Sequence, residues 1–115
     1  MSGLAAGGAA DAAALPLTHE PLPADDVLIG RPTTATHALA TLGDVEVGAW
    51  EMTPGTASDT EVDEVFVVLS GRARIEFIEP ALPAIEVGPG SVVRLAEGQR
   101  TAWTVTETLR KIYVA

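Results

Sequence analysis

Turn signals recur along the chain from about Thr34 onward and leave no room for long helices. The segments between them are short, and they either alternate apolar with polar residues or are rich in valine and isoleucine. The predicted strands are 35–42, 45–52, 63–70, 72–79, 84–87, 91–95, 101–106 and 109–114. Strands that repeat at roughly 8–12 residues are typical of a β-sandwich or a small β-barrel. The sequence therefore predicts one all-β domain.

The first 26 residues have a different composition, dominated by alanine, glycine and proline, and show no periodicity. Gly7, Gly8 and the prolines disfavour a long helix there. We expect 1–26 to form an N-terminal arm, flexible unless it docks, and 27–115 to form the barrel. His19 lies in this arm and is expected to be solvated.

Composition and charge exclude several classes of function. At 115 residues the chain suits one domain, and its lack of cysteine excludes disulfides and thiolate sites. The net charge of −9, with acids concentrated in 44–64, disfavours binding to nucleic acid or to anionic membranes. No apolar run is long enough to span a membrane, and the N-terminal segment lacks the basic start of a secretory signal. A cytoplasmic location is the expectation.

Two motifs carry a family resemblance. Glu64 is followed by six residues and then Gly71, and Gly90 is followed by five residues, Ala96-Glu97-Gly98, two residues and Thr101. Both spacings resemble the two motifs of the cupins, which are small jelly-roll barrels. Over about 43–115, and most specifically in WTVTETLRKIYV (103–114), the chain resembles the ureidoglycine aminohydrolase-type cupin domains. The resemblance implies a single cupin barrel and, as in other small cupins, a homodimer.

The chain departs from the metal-binding cupins at their histidine positions. Ser58 and Thr60, or Ala57 and Asp59 with the longer spacing, stand where the first motif has its two histidines. Thr101 replaces the histidine of the second motif, and hydroxyls are poor ligands for transition metals. The metal-binding histidines are thus absent, and we expect neither a metal nor another cofactor. His37 joined to Glu64 and a third acid is the one metal arrangement left open.

Glu64 is the candidate catalytic residue. Its position in the resemblance points inward, on the same face as Phe66, and a carboxylate in apolar surroundings suits a general acid or base. The alternative is that a basic residue such as Arg100 or Arg110 binds Glu64 and that the pair only orders the barrel. Glu61 and Asp63 are expected at the rim.

Aromatic side chains provide the candidate ligand-binding residues. Trp103 lies two residues after Thr101 and is expected on the same inward face, where an indole suits the wall of a pocket. With Trp50, Phe66 and Tyr113, these residues form the predicted binding set; the alternative for the aromatics is that they only fill the core. Arg110 and Lys111 could bind an anionic ligand, but the favoured interpretation is an exposed pair that neutralises the acidic segment 59–64.

The first functional hypothesis is a small cupin-domain protein that binds a small organic molecule in its barrel, as a metal-independent isomerase, lyase or cyclase if it is an enzyme at all. The second is a non-catalytic binding or regulatory module. The third is a metal-dependent enzyme with non-standard ligands. No nucleophile motif or phosphate-binding loop decides between them, and the sequence leaves open whether the protein is an enzyme.

Overall fold

Two long strands, β6 (Glu64–Glu79) and β9 (Arg100–Val114), lie side by side at the centre of a computed structural model that describes residues 3–115. The shorter strands are β1 (Glu20–Pro21), β2 (Val27–Ile29), β3 (Thr33–Leu42), β4 (Val45–Met52), β5 (Gly55–Thr60), β7 (Leu82–Val87) and β8 (Val92–Leu95). Ala24–Asp26 form a single 3-10 turn. Within 3–115 there is no helix with the length and apolar character needed to cross a membrane.

The strands form one curled antiparallel sheet. Strand β9 pairs with β4 and β5 along one edge and with β6 along the other, and β6 pairs in turn with β7 and β8. Strands β3 and β1 continue the sheet beyond β4, while β2 continues it beyond β5. The predicted all-β, single-domain barrel is confirmed.

The predicted strands are found, but two pairs of them are continuous. The segments 63–70 and 72–79 form the single strand β6, and 101–106 and 109–114 form the single strand β9. Strand β5 was not predicted, nor were the short strands β1 and β2. Gly55, Ala57 and Asp59 belong to residue types that are depleted in strands, and the pairing of β5 with β9 overrides this low propensity.

Gly71 allows β6 to stay continuous at the point where its register with β9 shifts. Ser70 pairs with Arg110, whereas Arg72 pairs with Glu107, so the ladder is irregular between them. Gly71 has φ +92°, and an added Cβ would collide with the carbonyl oxygen of Thr108. The glycine that ends the first motif is therefore required by the close contact between the two long strands.

Side chains from the inner faces of β6 and β9 meet in one core. The largest fully buried residues are Phe66, Val68, Ile75, Leu95, Thr101 and Leu109. The buried residues of β6 alternate with residues that are exposed or half-buried, as expected for a sheet with one covered face. Full burial of one such apolar side chain stabilises the fold by about 1.5–3 kcal/mol.

The N-terminal arm is docked on the outer face of the sheet. Leu15 is buried against Leu39 and Ala49. Arg110 donates hydrogen bonds to the carbonyl oxygens of Ala12, Ala13 and Leu15, at 3.0, 3.3 and 2.7 Å. The arm therefore has a specific place on the sheet; the boundary predicted at residue 26 stays a prediction.

His19 anchors the same arm, so the prediction that it is solvated is wrong. It is half-buried, with Nδ1 2.9 Å from Thr33 Oγ1 and Nε2 2.7 Å from Glu51 Oε1. Glu51 Oε2 also accepts a 2.7 Å hydrogen bond from Arg110 Nε. Burial favours a higher pKa for Glu51, but the hydrogen bonds from Arg110 and His19 outweigh it and lower the pKa.

Candidate functional site

A cavity of about 380 Å³ opens from the inside of the barrel to its surface. Its polar wall carries the carboxylates of Asp26, Glu46, Asp59, Glu61 and Glu64 and the ammonium group of Lys111. Trp50, Trp103 and Tyr113 supply its aromatic surface. The cavity is thus both strongly acidic and partly aromatic.

Lys111 and Glu64 form a buried ion pair in this cavity. Lys111 Nζ lies 2.6 Å from Glu64 Oε2, and only 7% and 10% of the two side chains are exposed. The two residues come from neighbouring strands, since Lys111 on β9 pairs in register with Val68 on β6. Glu64 points inward and has a basic partner, as the alternative interpretation expected, but that partner is Lys111 and neither of the two arginines given as examples.

Three aromatic rings surround the ammonium group of Lys111. Its Nζ lies 4.3 Å from the ring centroid of Phe66, 4.6 Å from that of Trp50 and 4.9 Å from that of Trp103. Contacts of this kind stabilise a cation by electrostatic attraction to the ring faces. The interpretation of Arg110 and Lys111 as an exposed pair is therefore wrong: Lys111 lies inside the barrel, and Arg110 lies under the arm.

Glu61 also points inward, and its predicted place at the rim is wrong. It is 5% exposed, and its Oε2 accepts hydrogen bonds from Thr101 Oγ1 at 2.6 Å and from Trp103 Nε1 at 3.0 Å. The residues after β5 leave the regular strand, because Glu61 exchanges backbone hydrogen bonds with the turn at Gly98 and Gln99. This irregularity lets Glu61 and Glu64 face the same cavity.

Asp63 does lie at the surface, as predicted for the rim. It accepts hydrogen bonds from the backbone N–H of Glu97 at 3.1 Å and from Arg94 at 3.2 Å. These bonds lower the pKa of Asp63.

The predicted binding residues divide into two layers. Trp50, Trp103 and Tyr113 line the cavity, whereas Phe66 and Thr101 are each 1% exposed and are not among the lining residues. Phe66 supports Lys111 from behind, and Thr101 holds Glu61. Tyr113 donates a 2.5 Å hydrogen bond to Glu46, and burial together with this carboxylate raises the pKa of Tyr113.

The residues of this site do not fit the metal ion that many cupins hold. Thr101, at the histidine position of the second motif, is bonded to Glu61, and the carboxylate of Glu64 already has an ammonium partner. A fixed positive charge beside that carboxylate repels a second cation. His37 does not line the cavity, and within residues 3–115 no three His, Asp or Glu side chains are arranged to hold a metal.

The raised pKa of Asp59, which lines the cavity, predicts that the stability of the fold depends on pH. Desolvation and the charge of Glu61 raise the pKa of Asp59 to about 6. The folded protein then binds this proton more tightly than the unfolded chain, so stability falls as the pH rises from the ordinary value of 3.8 through 6. We expect Asp59→Asn to stabilise the protein at pH 7.5, by less than about 1 kcal/mol because the group is exposed, and to have no effect below pH 3.8.

Thermal unfolding of both proteins across this pH range measures the effect. Asp63→Asn is the matched control of opposite sign, since the pKa of Asp63 is lowered and its charge stabilises the fold above the ordinary value of 3.8. Equal changes in the melting temperature of the two variants at pH 7.5 would contradict the raised pKa of Asp59.

Comparisons with known proteins agree with this architecture. The EutQ-like cupin domain matches residues 39–113. A protein of unknown function from Pseudomonas syringae, of the DUF861 family, is 26% identical and superposes with a TM-score of 0.76. The match covers 93% of this chain and 46% of that one, so this chain spans about half the length of that relative.

Two further structures are similar over a shorter range. A protein of unknown function from Rhizobium leguminosarum is 25% identical with a TM-score of 0.63, over 70% of this chain and 78% of its own. The EutQ protein of Clostridium difficile is 24% identical with a TM-score of 0.61, over 72% of this chain and 67% of its own, and indicates the fold alone. No curated protein matches the sequence. The match to residues 39–113, which contain both long strands and most of the cavity wall, shows that the chain belongs to the EutQ-like cupin domain family.

Proposed function

We propose that the barrel binds a small organic molecule in the cavity that contains Lys111 and Glu64. The observation that carries this proposal is an open space of about 380 Å³ walled by two indoles, a phenol and a buried ion pair. Ligand sites in proteins combine apolar and aromatic walls with a few oriented polar groups in a volume of this order. A barrel that served only as a scaffold would gain stability by filling this space with side chains.

The charges of the cavity limit the ligand. Five carboxylates line it against one ammonium group, and that ammonium is already paired with Glu64. Anionic ligands are therefore disfavoured, while neutral or positively charged molecules with an apolar body fit the wall. Trp50 and Trp103, tilted against each other at 5.6 Å between ring centroids, offer flat surface for that body.

Both tryptophans of the chain line the cavity, so indole signals report on its occupancy. We expect neutral and cationic fragments to shift the Trp50 and Trp103 indole N–H resonances and to change tryptophan fluorescence, with weak affinities near 1 mM for molecules of this size. Thr36→Phe places a ring in the cavity wall and is expected to abolish these shifts.

Thr41→Phe is the matched control, since Thr41 is an exposed threonine of the same strand and does not line the cavity. Fragment shifts that persist in Thr36→Phe, or a chemically diverse library that moves neither indole signal, would overturn the proposal.

A second candidate function is catalysis of proton transfer on the bound molecule. Glu64 and Lys111 face the cavity as a base and an acid 2.6 Å apart, which suits an isomerisation, elimination or cyclisation that needs no metal. The non-catalytic module differs from this candidate only in turnover. Exchange of ligand protons with deuterated water, lost in Glu64→Gln while binding persists, separates the two.

Other expectations from the sequence stay predictions. They are the finer resemblance to the ureidoglycine aminohydrolase-type domains, the homodimer and the cytoplasmic location. A metal-dependent enzyme is disfavoured by the ion pair at Glu64.

A further inference from the structure

Lys111 is the only lysine in the chain, and the other six basic residues are arginines. Arginine is the usual choice for a buried ion pair, because its planar group binds carboxylates in two places and keeps its proton. Lysine gives up a proton more readily and is the side chain that forms imines with carbonyl compounds. The one lysine of the chain therefore provides, inside the cavity, an amine whose chemistry an arginine would not offer.

The surroundings of Lys111 suit such chemistry. Its side chain is only 7% exposed and packs against the rings of Trp50, Phe66 and Trp103, yet it lines the cavity and can be reached from it. Rings on several sides limit competition by water. Glu64 Oε2, 2.6 Å from Nζ, is placed to accept the proton that the ammonium must lose.

We propose that Lys111 forms a reversible imine with small carbonyl compounds; this rests on the proposed ligand binding in the same cavity. Glu64 accepts a proton from the ammonium, and the freed nitrogen pair forms a bond to the carbonyl carbon as the carbonyl π pair moves to oxygen. Glu64 returns its proton to that oxygen, giving a carbinolamine. It then takes a second proton from nitrogen and delivers it to the hydroxyl group. Water leaves, and the nitrogen pair forms the C=N bond of the iminium.

The cavity also selects among carbonyl compounds. The cavity that contains the ion pair is also lined by four other carboxylates, and Lys111 is the one cationic side chain among its lining residues. These carboxylates belong to Asp26, Glu46, Asp59 and Glu61. A carboxylate on the substrate would meet this charge at close range, at a cost in binding. The substrate class is therefore an aldehyde or ketone that carries no carboxylate.

Reductive trapping tests the proposal on the full chain. The protein is mixed with butyraldehyde and sodium cyanoborohydride, which reduces an iminium to a stable secondary amine, and the modified residue is mapped by mass spectrometry. The N-terminal amine serves as an internal reference. We expect Lys111 to be trapped faster in the native protein than in the same chain unfolded in urea, relative to that reference.

Modification of the N-terminal amine with Lys111 untouched, or trapping of Lys111 no faster in the native than in the unfolded chain, would overturn the proposal. Succinic semialdehyde has the same number of carbons as butyraldehyde, with a carboxylate in place of the terminal methyl group, and is expected to react more slowly. Equal or faster native trapping with it would overturn the substrate class. These measurements use the unsubstituted chain, so the test does not depend on whether variants at this site fold.

Two variants assign the role of Glu64. Glu64→Gln is expected to slow trapping at Lys111 by about 10²-fold through loss of the acid–base group, while the exposed Glu86→Gln is expected to leave it unchanged. An unchanged trapping rate at Lys111 in a folded Glu64→Gln variant would show that Glu64 does not transfer the protons. Butan-1-ol lacks the carbonyl group and tests ligand binding alone. If butan-1-ol shifts the indole signals but butyraldehyde is not trapped, the imine proposal fails while the proposed ligand binding stands.

Discussion

Replacing Lys111 with methionine is expected to lower the free energy of unfolding at pH 7 by about 3–5 kcal/mol, as for other buried ion pairs that lose one partner. The methionine keeps much of the volume, so the loss comes from the carboxylate of Glu64, which stays in the barrel without its ammonium partner. Urea unfolding at pH 7 measures the effect.

The double variant Lys111→Met/Glu64→Gln is the matched control. Removing both charges leaves no unpaired ion, and replacement of a whole buried pair is often neutral. We therefore expect the double variant to recover most of the stability that Lys111→Met loses. A double variant as unstable as the single one would show that the contacts of Lys111 with the three aromatic rings, rather than the ion pair, stabilise this region.

Arg110→Met is expected to release the N-terminal arm and to cost about 3–5 kcal/mol, since the guanidinium is a buried charge with a carboxylate partner. The side chain is 10% exposed and donates to Glu51 and to three carbonyl oxygens of the arm. Once the arm is released, Leu15 no longer packs against Leu39 and Ala49. Hydrogen exchange of the backbone amides at 12–15 and limited proteolysis of the arm report its release directly.

Arg72→Met provides the comparison, because Arg72 pairs with Glu107 at the surface with both side chains about two-thirds exposed. That variant is expected to lose less than about 1 kcal/mol. The lowered pKa of Glu51 adds a pH signature: its charge stabilises the fold above the ordinary value of 4.5, and this is lost as the pH falls below it. An arm that stays protected in Arg110→Met would show that the apolar contact at Leu15 suffices.

The all-β class was predictable from local sequence because strong turn signals separate the strands, which alternate on one covered face. The choice of a barrel over a sandwich came from the resemblance to the cupin motifs. Strand β5 was missed because Gly55, Ala57 and Asp59 belong to residue types depleted in strands, and pairing with β9 and β2 makes the segment extended. The continuity of β6 through Gly71 was missed for a related reason. A glycine after a serine is typical of a turn, and the contact with Thr108 that makes it part of a strand is not local.

The candidate site was predicted in part. The spacing to Gly71 placed Glu64 inside, whereas strict alternation along a regular strand put Glu61 at the rim, and the irregular backbone before β6 overrides that alternation. The partner of Glu64 depends on the register between β6 and β9, which local patterns do not determine. A single lysine in a chain that otherwise uses arginine was the signal present in the sequence for Lys111.

The place of β9 in the chain has a consequence for synthesis. Strand β9 pairs with β4, β5 and β6, and all three precede it in the chain. While the chain emerges from the ribosome, the apolar segment 65–69 can pair with β8 on one edge, but its other edge has no partner until residues 100–114 have been made. Apolar strands with an unpaired edge are prone to aggregate. Translation speed and early chaperone contact should therefore affect the yield of folded protein more than they affect its final stability.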